Sequence, residues 1–398
     1  MGRMKFTNRE GITLVGNLEL PPGGAWRATT LFAHCFTCSR NIKAARNISR
    51  SLAAAGFAVL RFDFTGLGES EGDFSDTSFS SNLDDLEDAA DWMSEALAAP
   101  QLLVGHSLGG AAVLAVAERL QSVRAVATLA APSSAEHVLE QFGDGLETIE
   151  AKGSAEVRLA GRPFRIRKDF VEDARSHSIE GRLSKLRRAL LVLHSPLDKT
   201  VSVRNAQDIF AAALHPKSFV SLDKADHLLS DEGDSCYAGQ VISAWAGRFL
   251  ELDRPEPVEG VKVSGKTADK FVCRVQAGRH ELLADEPERH GGDDRGPDPY
   301  RYLAGALGTC TVMTLNMYAR HKKLDVETVT CEVTHDRIHA KDCDDCENAN
   351  RKVDRLSRVI TIEGDLDEDQ RLRMLEIADR CPVHRTLEND IQVESRLG

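Results

Sequence analysis

The sequence predicts an α/β domain built on a mostly parallel sheet, followed by a smaller α+β domain. Three observations carry this expectation. Short apolar strand candidates alternate with helices up to about residue 250. A proline- and charge-rich stretch, LDRPEPVEG at 252–260, then breaks the rhythm. Beyond it, candidate strands gather around one long apolar helix. The 398 residues are enough for two separate cores.

The elements follow in order. Residues 1–20 read as two short strands about a turn and lack the continuous apolar segment of a signal peptide. Ala28–Ala33 and Phe57–Phe62 are strands around the helix Asn41–Ala55. Asn82–Ala98 is an amphipathic helix with Leu83, Leu86, Ala90 and Met93 facing inward. Leu102–Val104 is a buried strand, Ala111–Leu120 a helix and Ala125–Leu129 a strand. After an insertion, Pro132–Lys185, come the strand Ala189–His194, a helix near Asn205–Leu214, the strand Ser218–Leu222 and a helix near Tyr237–Leu250. Such alternation implies right-handed crossovers and a sheet covered on both faces. The first domain is placed at 1–252 and the linker at 253–258. The second domain, 259–398, offers strands at Val261–Val275, Arg279–Ala284, Thr328–His339, Ser357–Gly364 and Ile391–Arg396, with helices at Pro299–Ala319 and Asp367–Arg380.

Fifty basic residues against 62 acidic give a net charge of −12. Residues 259–398 hold 22 basic and 28 acidic side chains, half of that excess. Evenly spread acidity argues against a nucleic-acid partner, which needs a basic face. No apolar run nears the roughly 20 residues of a membrane span. Nine cysteines at uneven spacings, with no signal peptide, suggest reduced thiols in the cytoplasm.

Gly105-His106-Ser107-Leu108-Gly109 stands between a short apolar strand and a helix. This is G-x-S-x-G in the strand–turn–helix setting that holds a serine on a sharp turn above a sheet edge. The Leu108 amide points where an oxyanion would form. A serine hydroxyl needs a base. His227, after the strand Ser218–Leu222, is the candidate base, and Asp198, after Ala189–His194, the carboxylate that orients it. His34, His106 and His194 are rival bases and Asp226 a rival acid. The loop His34–Cys38 should supply the second oxyanion donor, assigned to the Phe36 amide. Cys35 and Cys38 form a C-x2-C beside it, and a disulfide there would pin that loop.

Residues 1 to about 250 therefore resemble an α/β-hydrolase of the esterase and serine-aminopeptidase kind. The segment Asp63–Gly72 also resembles that family's D-x-R-G-x-G-x-S loop, with Thr65 in place of the usual arginine; Cys35 replaces the glycine of the usual HG pair. The resemblance implies an α/β hydrolase fold, hydrolysis of a small-molecule carboxylic ester through an acyl-enzyme, no cofactor, and a cap made by the insertion. Within the insertion, Arg158, Arg165 and Arg167 share one hairpin face and Leu159, Phe164 and Ile166 the other. The basic face reads as solvated, with attraction of carboxylate-bearing acyl groups as the alternative.

Cys310 lies midway along the long apolar helix, and Cys381 precedes Pro382. Each alone reads as a packing cysteine. A peroxidatic thiol needs nearby positive charge and a second thiol to resolve its sulfenic acid. The runs Gly296–Tyr300, Leu307–Thr311 and Arg380–Glu388 resemble the OsmC/Ohr family of organic hydroperoxide reductases. That resemblance implies a peroxidatic Cys310, a resolving Cys381, a homodimer, an organic hydroperoxide substrate and a dithiol reductant. Tyr300 stands where peroxidatic members carry a glutamate, and Arg274 or Arg279 is the candidate activating cation. A binding or dimerisation module without catalysis is the alternative.

His335, His339, Cys343 and Cys346 have spacings that suit tetrahedral zinc. Asp342, Asp344, Asp345 and Glu347 make the same segment look like an acidic surface excursion, so no metal is expected.

Overall fold

The computed structural model describes residues 2–22, 24–35, 38–159, 162–177, 180–250, 256–339 and 352–397. They divide into two compact units, one of 1–269 with 277–279 and one of 270–276 with 280–398.

The first unit opens with β1 (Gly2–Thr7) and β2 (Thr13–Glu19), followed by β3 (Ala28–Ala33), α1 (Lys43–Ala54) and β4 (Phe57–Phe62). Next come α2 (Phe79–Ala96), β5 (Leu102–His106), α3 (Leu108–Val116) and β6 (Ala125–Leu129). An insertion then carries a 3-10 run (Ala135–Phe142), α4 (Gly145–Lys152), β7 (Ser154–Leu159), β8 (Arg162–Arg167), α5 (Lys168–Ser176) and α6 (Glu180–Leu183). The chain returns through β9 (Ala189–His194), α7 (Val203–Ala212), β10 (Lys217–Ser221) and α8 (Glu232–Ala246).

Eight strands form one sheet in the order β1-β2-β4-β3-β5-β6-β9-β10. The β1–β2 and β2–β4 pairs are antiparallel, and all later pairs are parallel. Strands β3 to β6 and β9 are buried along their whole length. That burial is why their sequences are continuous apolar runs rather than alternations. Leu190 and Val192 face the core shared with α2, α3 and α7, while Leu191 and Leu193 face the core shared with α1 and α8. Successive residues of one strand thus feed both layers.

In the insertion, Val157 lies opposite Phe164 and Ala155 opposite Ile166. Val157, Ile166 and Phe170 enter the main core, while Arg158, Arg165 and Arg167 are exposed. Arg167 pairs with Asp76 at 2.6 Å. Helix α5 is tied to the start of α2 by a small polar cluster. Ser80 donates to Asp173 through its hydroxyl (2.6 Å) and its amide (2.8 Å), and His177 Nε2 lies 2.8 Å from the Ser80 hydroxyl.

Following β11 (Val261–Gly265) come β12 (Cys273–Ala277) and β13 (His280–Ala284). The expected single strand Val261–Val275 is broken by a 3-10 turn, Thr267–Asp269, and by Lys270 at φ 56°. Helix α9 (Pro299–Lys322) starts with Pro299 behind Asp298, whose carboxylate caps the Arg301 amide at 2.9 Å. It packs on the antiparallel ribbon of β14 (Asp325–His339) and β15 (Lys352–Asp365), with α10 (Glu368–Ala378) beside it. Leu315, Ala319, Val329, Met374 and Ala378 form that core. The last expected strand, Ile391–Arg396, does not form. Ile391 and Val393 alternate as a strand would, yet both are exposed with no partner strand. Before it the chain forms a short helix, α11 (Pro382–Glu388), where Pro382 suits a first helical turn.

Candidate active site

Strand β5 ends at His106, and Ser107 makes the turn into α3 at φ 55°, ψ −126°. A non-glycine residue there is strained. The flanking glycines make the turn feasible: a Cβ on Gly105 would strike the Gly109 carbonyl, and one on Gly109 the carbonyls of Ala33 and His34. The Ser107 amide donates to Leu129 O at 2.9 Å, which ties the turn to β6. Leu108 is the first residue of α3, so its N–H is among those a helix leaves without an internal partner.

Three loops at the carboxyl edge of the sheet converge on this turn. Ser107 Oγ lies 3.0 Å from His227 Nε2, and His227 Nδ1 lies 2.8 Å from Asp198 Oδ2. Asp198 Oδ1 accepts the amides of Thr200 (2.8 Å) and Val201 (2.9 Å). Burial pushes the Asp198 carboxyl pKa up, but the His227 hydrogen bond and these amides outweigh it, so the pKa falls below its ordinary value. The buried carboxylate therefore stays ionised and holds Nδ1 protonated, leaving Nε2 free to accept from the serine.

The rival residues serve elsewhere. His106 Nε2 donates to the His227 carbonyl at 2.7 Å. Burial, reinforced by His227, pushes its pKa down to about 4, so it is neutral and supports His227 from behind. His194 Nε2 donates to Val201 O at 2.8 Å, on the loop that cradles Asp198. His34 Nδ1 lies against Cys35 O at 2.7 Å. Asp226 accepts the Ser230 amide at 2.8 Å. Sequence reasoning missed the supporting parts of His106 and His194; their positions at the ends of β5 and β9 were the available signal.

The Asp63–Gly72 loop is held by charge. Asp63 is ion-paired with Arg40 and accepts the amides of Arg40 (2.6 Å) and Glu69 (3.0 Å). A Cβ on Gly68 (φ +58°) would strike the same carboxylate. Thr65 donates to the buried Asp85 through its amide (2.8 Å) and hydroxyl (3.0 Å), the work this chain gives to the position where an arginine is usual.

A cleft of about 420 Å³ opens over Ser107, Leu108 and His227. Its walls are mainly apolar, with Ile42, Val201 and Leu228, and the insertion adds Pro132, His137, Val138 and Gln141. The hairpin arginines 158, 165 and 167 do not line it. Cys35 and Cys38 also line it and form a disulfide, Cα–Cα 5.3 Å. Phe36, assigned as the second oxyanion donor, lies outside the described residues, as do residues 253–255 of the expected linker.

In the second unit, Cys310 is partly buried on α9 and Cys381 fully buried before α11; both are free thiols. Cys381 Sγ accepts the His384 amide at 3.3 Å and lies 3.8 Å from Thr311 Oγ1. A cation that the sequence reading missed reaches the same hydroxyl. Arg358 on β15 donates to Thr311 Oγ1 (2.9 Å), His384 Nδ1 (2.8 Å) and Asp379 (2.8 Å). Arg274 is instead ion-paired with Glu281. Tyr300 stacks on His335, ring centroids 4.2 Å apart, and His335 Nε2 pairs with Asp354 at 3.0 Å. The side chains of His339, Cys343 and Cys346 lie outside the described residues; among those described, no group of three or more metal-ligating side chains gathers.

A sharp serine turn at the carboxyl edge of a sheet of this order defines an α/β hydrolase. The chain belongs to the Alpha/beta hydrolase family, whose model matches residues 22–289, and it carries an OsmC-like domain, matched over 291–396. The esterase domain of a Rhodothermus marinus protein is 47% identical, with a TM-score of 0.53, over 63% of this chain and 98% of that one. Est1E from Butyrivibrio proteoclasticus, solved with ferulic acid, shares the fold at 19% identity and TM-score 0.54, over 62% of this chain and 99% of that one. Rat (Rattus norvegicus) mitochondrial palmitoyl-protein thioesterase ABHD10 is 25% identical over 217 residues, 51% of this chain and 70% of the relative. The protein is thus an alpha/beta hydrolase joined to an OsmC-like domain. Among the described residues, no helix is long and apolar enough to cross a membrane.

Proposed function

We propose that Ser107, His227 and Asp198 hydrolyse carboxylic esters of small molecules through an acyl-enzyme. The observation that carries this reading is the hydrogen-bonded chain of 3.0 and 2.8 Å from serine to carboxylate. His227 takes the Ser107 proton as Oγ attacks the acyl carbon, and the amides of Leu108 and Phe36 receive the oxyanion. The imidazolium then protonates the leaving alcohol, and water repeats the sequence in reverse. The insertion acts as a cap that supplies one wall of the acyl cleft. The apolar walls suit an uncharged acyl chain, and the thioesterase and esterase names of the relatives agree with an oxygen or sulfur leaving group. Ser107→Ala should abolish turnover of a short p-nitrophenyl ester; near-normal turnover would overturn the reading.

For the OsmC-like domain we propose thiol-dependent reduction of an organic hydroperoxide. Cys310 thiolate attacks the peroxide, giving a sulfenic acid and an alcohol. Cys381 condenses with it, releasing water, and a dithiol restores both. Support comes from Arg358, which donates to the Thr311 hydroxyl that also contacts the Cys381 thiol. The domain would also form a homodimer, and the protein would work in the cytoplasm. Loss of free thiol at Cys310 with cumene hydroperoxide, no faster than in a Cys310→Ser control, would favour a purely binding or dimerising module.

A further inference from the structure

A third thiol, Cys331, lies on the ribbon that packs against α9. Cys331 lies opposite Ile360 in the β14–β15 ribbon, and Arg358 opposite Val333. Residues two apart on a strand share a face, so Cys331 and Arg358 both point toward α9. The helix approaches this face through Gly308, where a Cβ would come within 3.3 Å of Val333 Cγ2 and 3.7 Å of the Cys331 carbonyl. One turn on, the fully buried Thr311 hydroxyl donates to the Leu307 carbonyl at 2.8 Å, receives Arg358 at 2.9 Å and lies 3.8 Å from Cys381 Sγ. Burial raises the Cys331 pKa, while Arg358 opposes that shift. Cys331 thus faces the turn of α9 that carries Thr311, the residue in contact with Cys381. Cys310 is about 100° around the helix from Thr311 and does not share its place on the ribbon.

We propose that Cys331 and Cys381 form a reversible dithiol–disulfide couple, with Arg358 as the shared cation. Its place in turnover rests on the hydroperoxide reading above. Cys310 sulfenic acid condenses with Cys381, releasing water. Cys331, on losing its proton, attacks Cys381 Sγ; the Cys310–Cys381 bond breaks, and Cys310 leaves as a thiolate that regains a proton. In sum, one hydroperoxide and two thiols become one alcohol, one water and one disulfide. An external dithiol then reduces the couple through its accessible member, since Cys331 is partly exposed and Cys381 is not.

The test uses the full-length, pre-reduced protein, treated separately with cumene hydroperoxide and with diamide. Diamide takes two electrons and two protons from a thiol pair. Non-reducing tryptic mapping then follows three peptides: 302–320 with Cys310, 324–337 with Cys331, and 381–385 with Cys381. The expected product is the 324–337/381–385 cross-link with either oxidant. In Cys310→Ser, diamide should still give it, while hydroperoxide should give it at least tenfold more slowly. A Cys381 peptide that stays free under diamide, or links only to the Cys310 peptide, overturns the couple. A diamide cross-link with no reaction to hydroperoxide in the unmutated protein upholds the couple and overturns the peroxidase reading. Cys331→Ala should stop at the 302–320/381–385 link, with unchanged ester turnover reporting an intact fold elsewhere.

Discussion

At the scale of single residues, two histidines in contact do opposite jobs. His227 faces the cleft between Ser107 and Asp198, whereas His106 is sealed behind it. Asp198→Asn keeps the shape but loses the charge that fixes the His227 tautomer. It should lower kcat on the order of 10³–10⁴-fold with KM little changed, measured on the same p-nitrophenyl ester. His106 carries a consequence for stability. Its pKa falls to about 4 in the folded chain, against an ordinary 6.5. The unfolded chain therefore binds the proton first as pH drops, and the folded state loses stability between about 6.5 and about 4. Full exchange of that difference amounts to about 3 kcal/mol. In urea melts across this window, His106→Gln should show a shallower fall than the unmutated protein; parallel curves would mean that His106 does not govern it.

At the scale of elements, close backbone approach and buried charge fix the site. Gly109→Ala would drive a Cβ into the carbonyls of Ala33 and His34 and push β3 away from the turn. We expect a cost of about 1–3 kcal/mol in denaturant midpoint, with a larger proportional loss of turnover because Ser107 moves with the turn. Asp63→Asn would remove the buried charge opposite Arg40 and leave the guanidinium with Glu69 (3.3 Å) and Asn17 (2.5 Å), at a cost of about 1.5–3 kcal/mol. Elements were legible where one period dominated. The apolar runs of β3 to β6 and β9, and the serine turn after β5, could be read directly because a strand buried on both faces has little freedom of composition. The chain ends of the second unit were not legible. Ile391 and Val393 have the alternation of a strand, but pairing depends on a neighbour that sequence period does not reveal. Arg358 was missed for a related reason: its reach to Thr311 and His384 depends on the ribbon register, set some 20 to 50 residues away in the chain.

At the scale of the whole molecule, the proposed hydrolysis and the proposed hydroperoxide reduction use different nucleophiles in separate units. Ser107→Ala should remove ester turnover and leave hydroperoxide-driven oxidation of Cys310 intact, while Cys310→Ser should do the reverse. Paired assays on one preparation of each variant would check this, and loss of both activities in either variant would mean that the units are coupled. The tether between Ser80, Asp173 and His177 bears on a different property. It fastens α5, which packs against the 135–142 run that lines the cleft, to the start of α2. A covering segment secured in that way needs no oil–water boundary to lift it. Turnover of a medium-chain ester should climb without a jump as the substrate passes its micelle-forming concentration, and a sharp break at that point would mean that the tether gives way against a lipid surface.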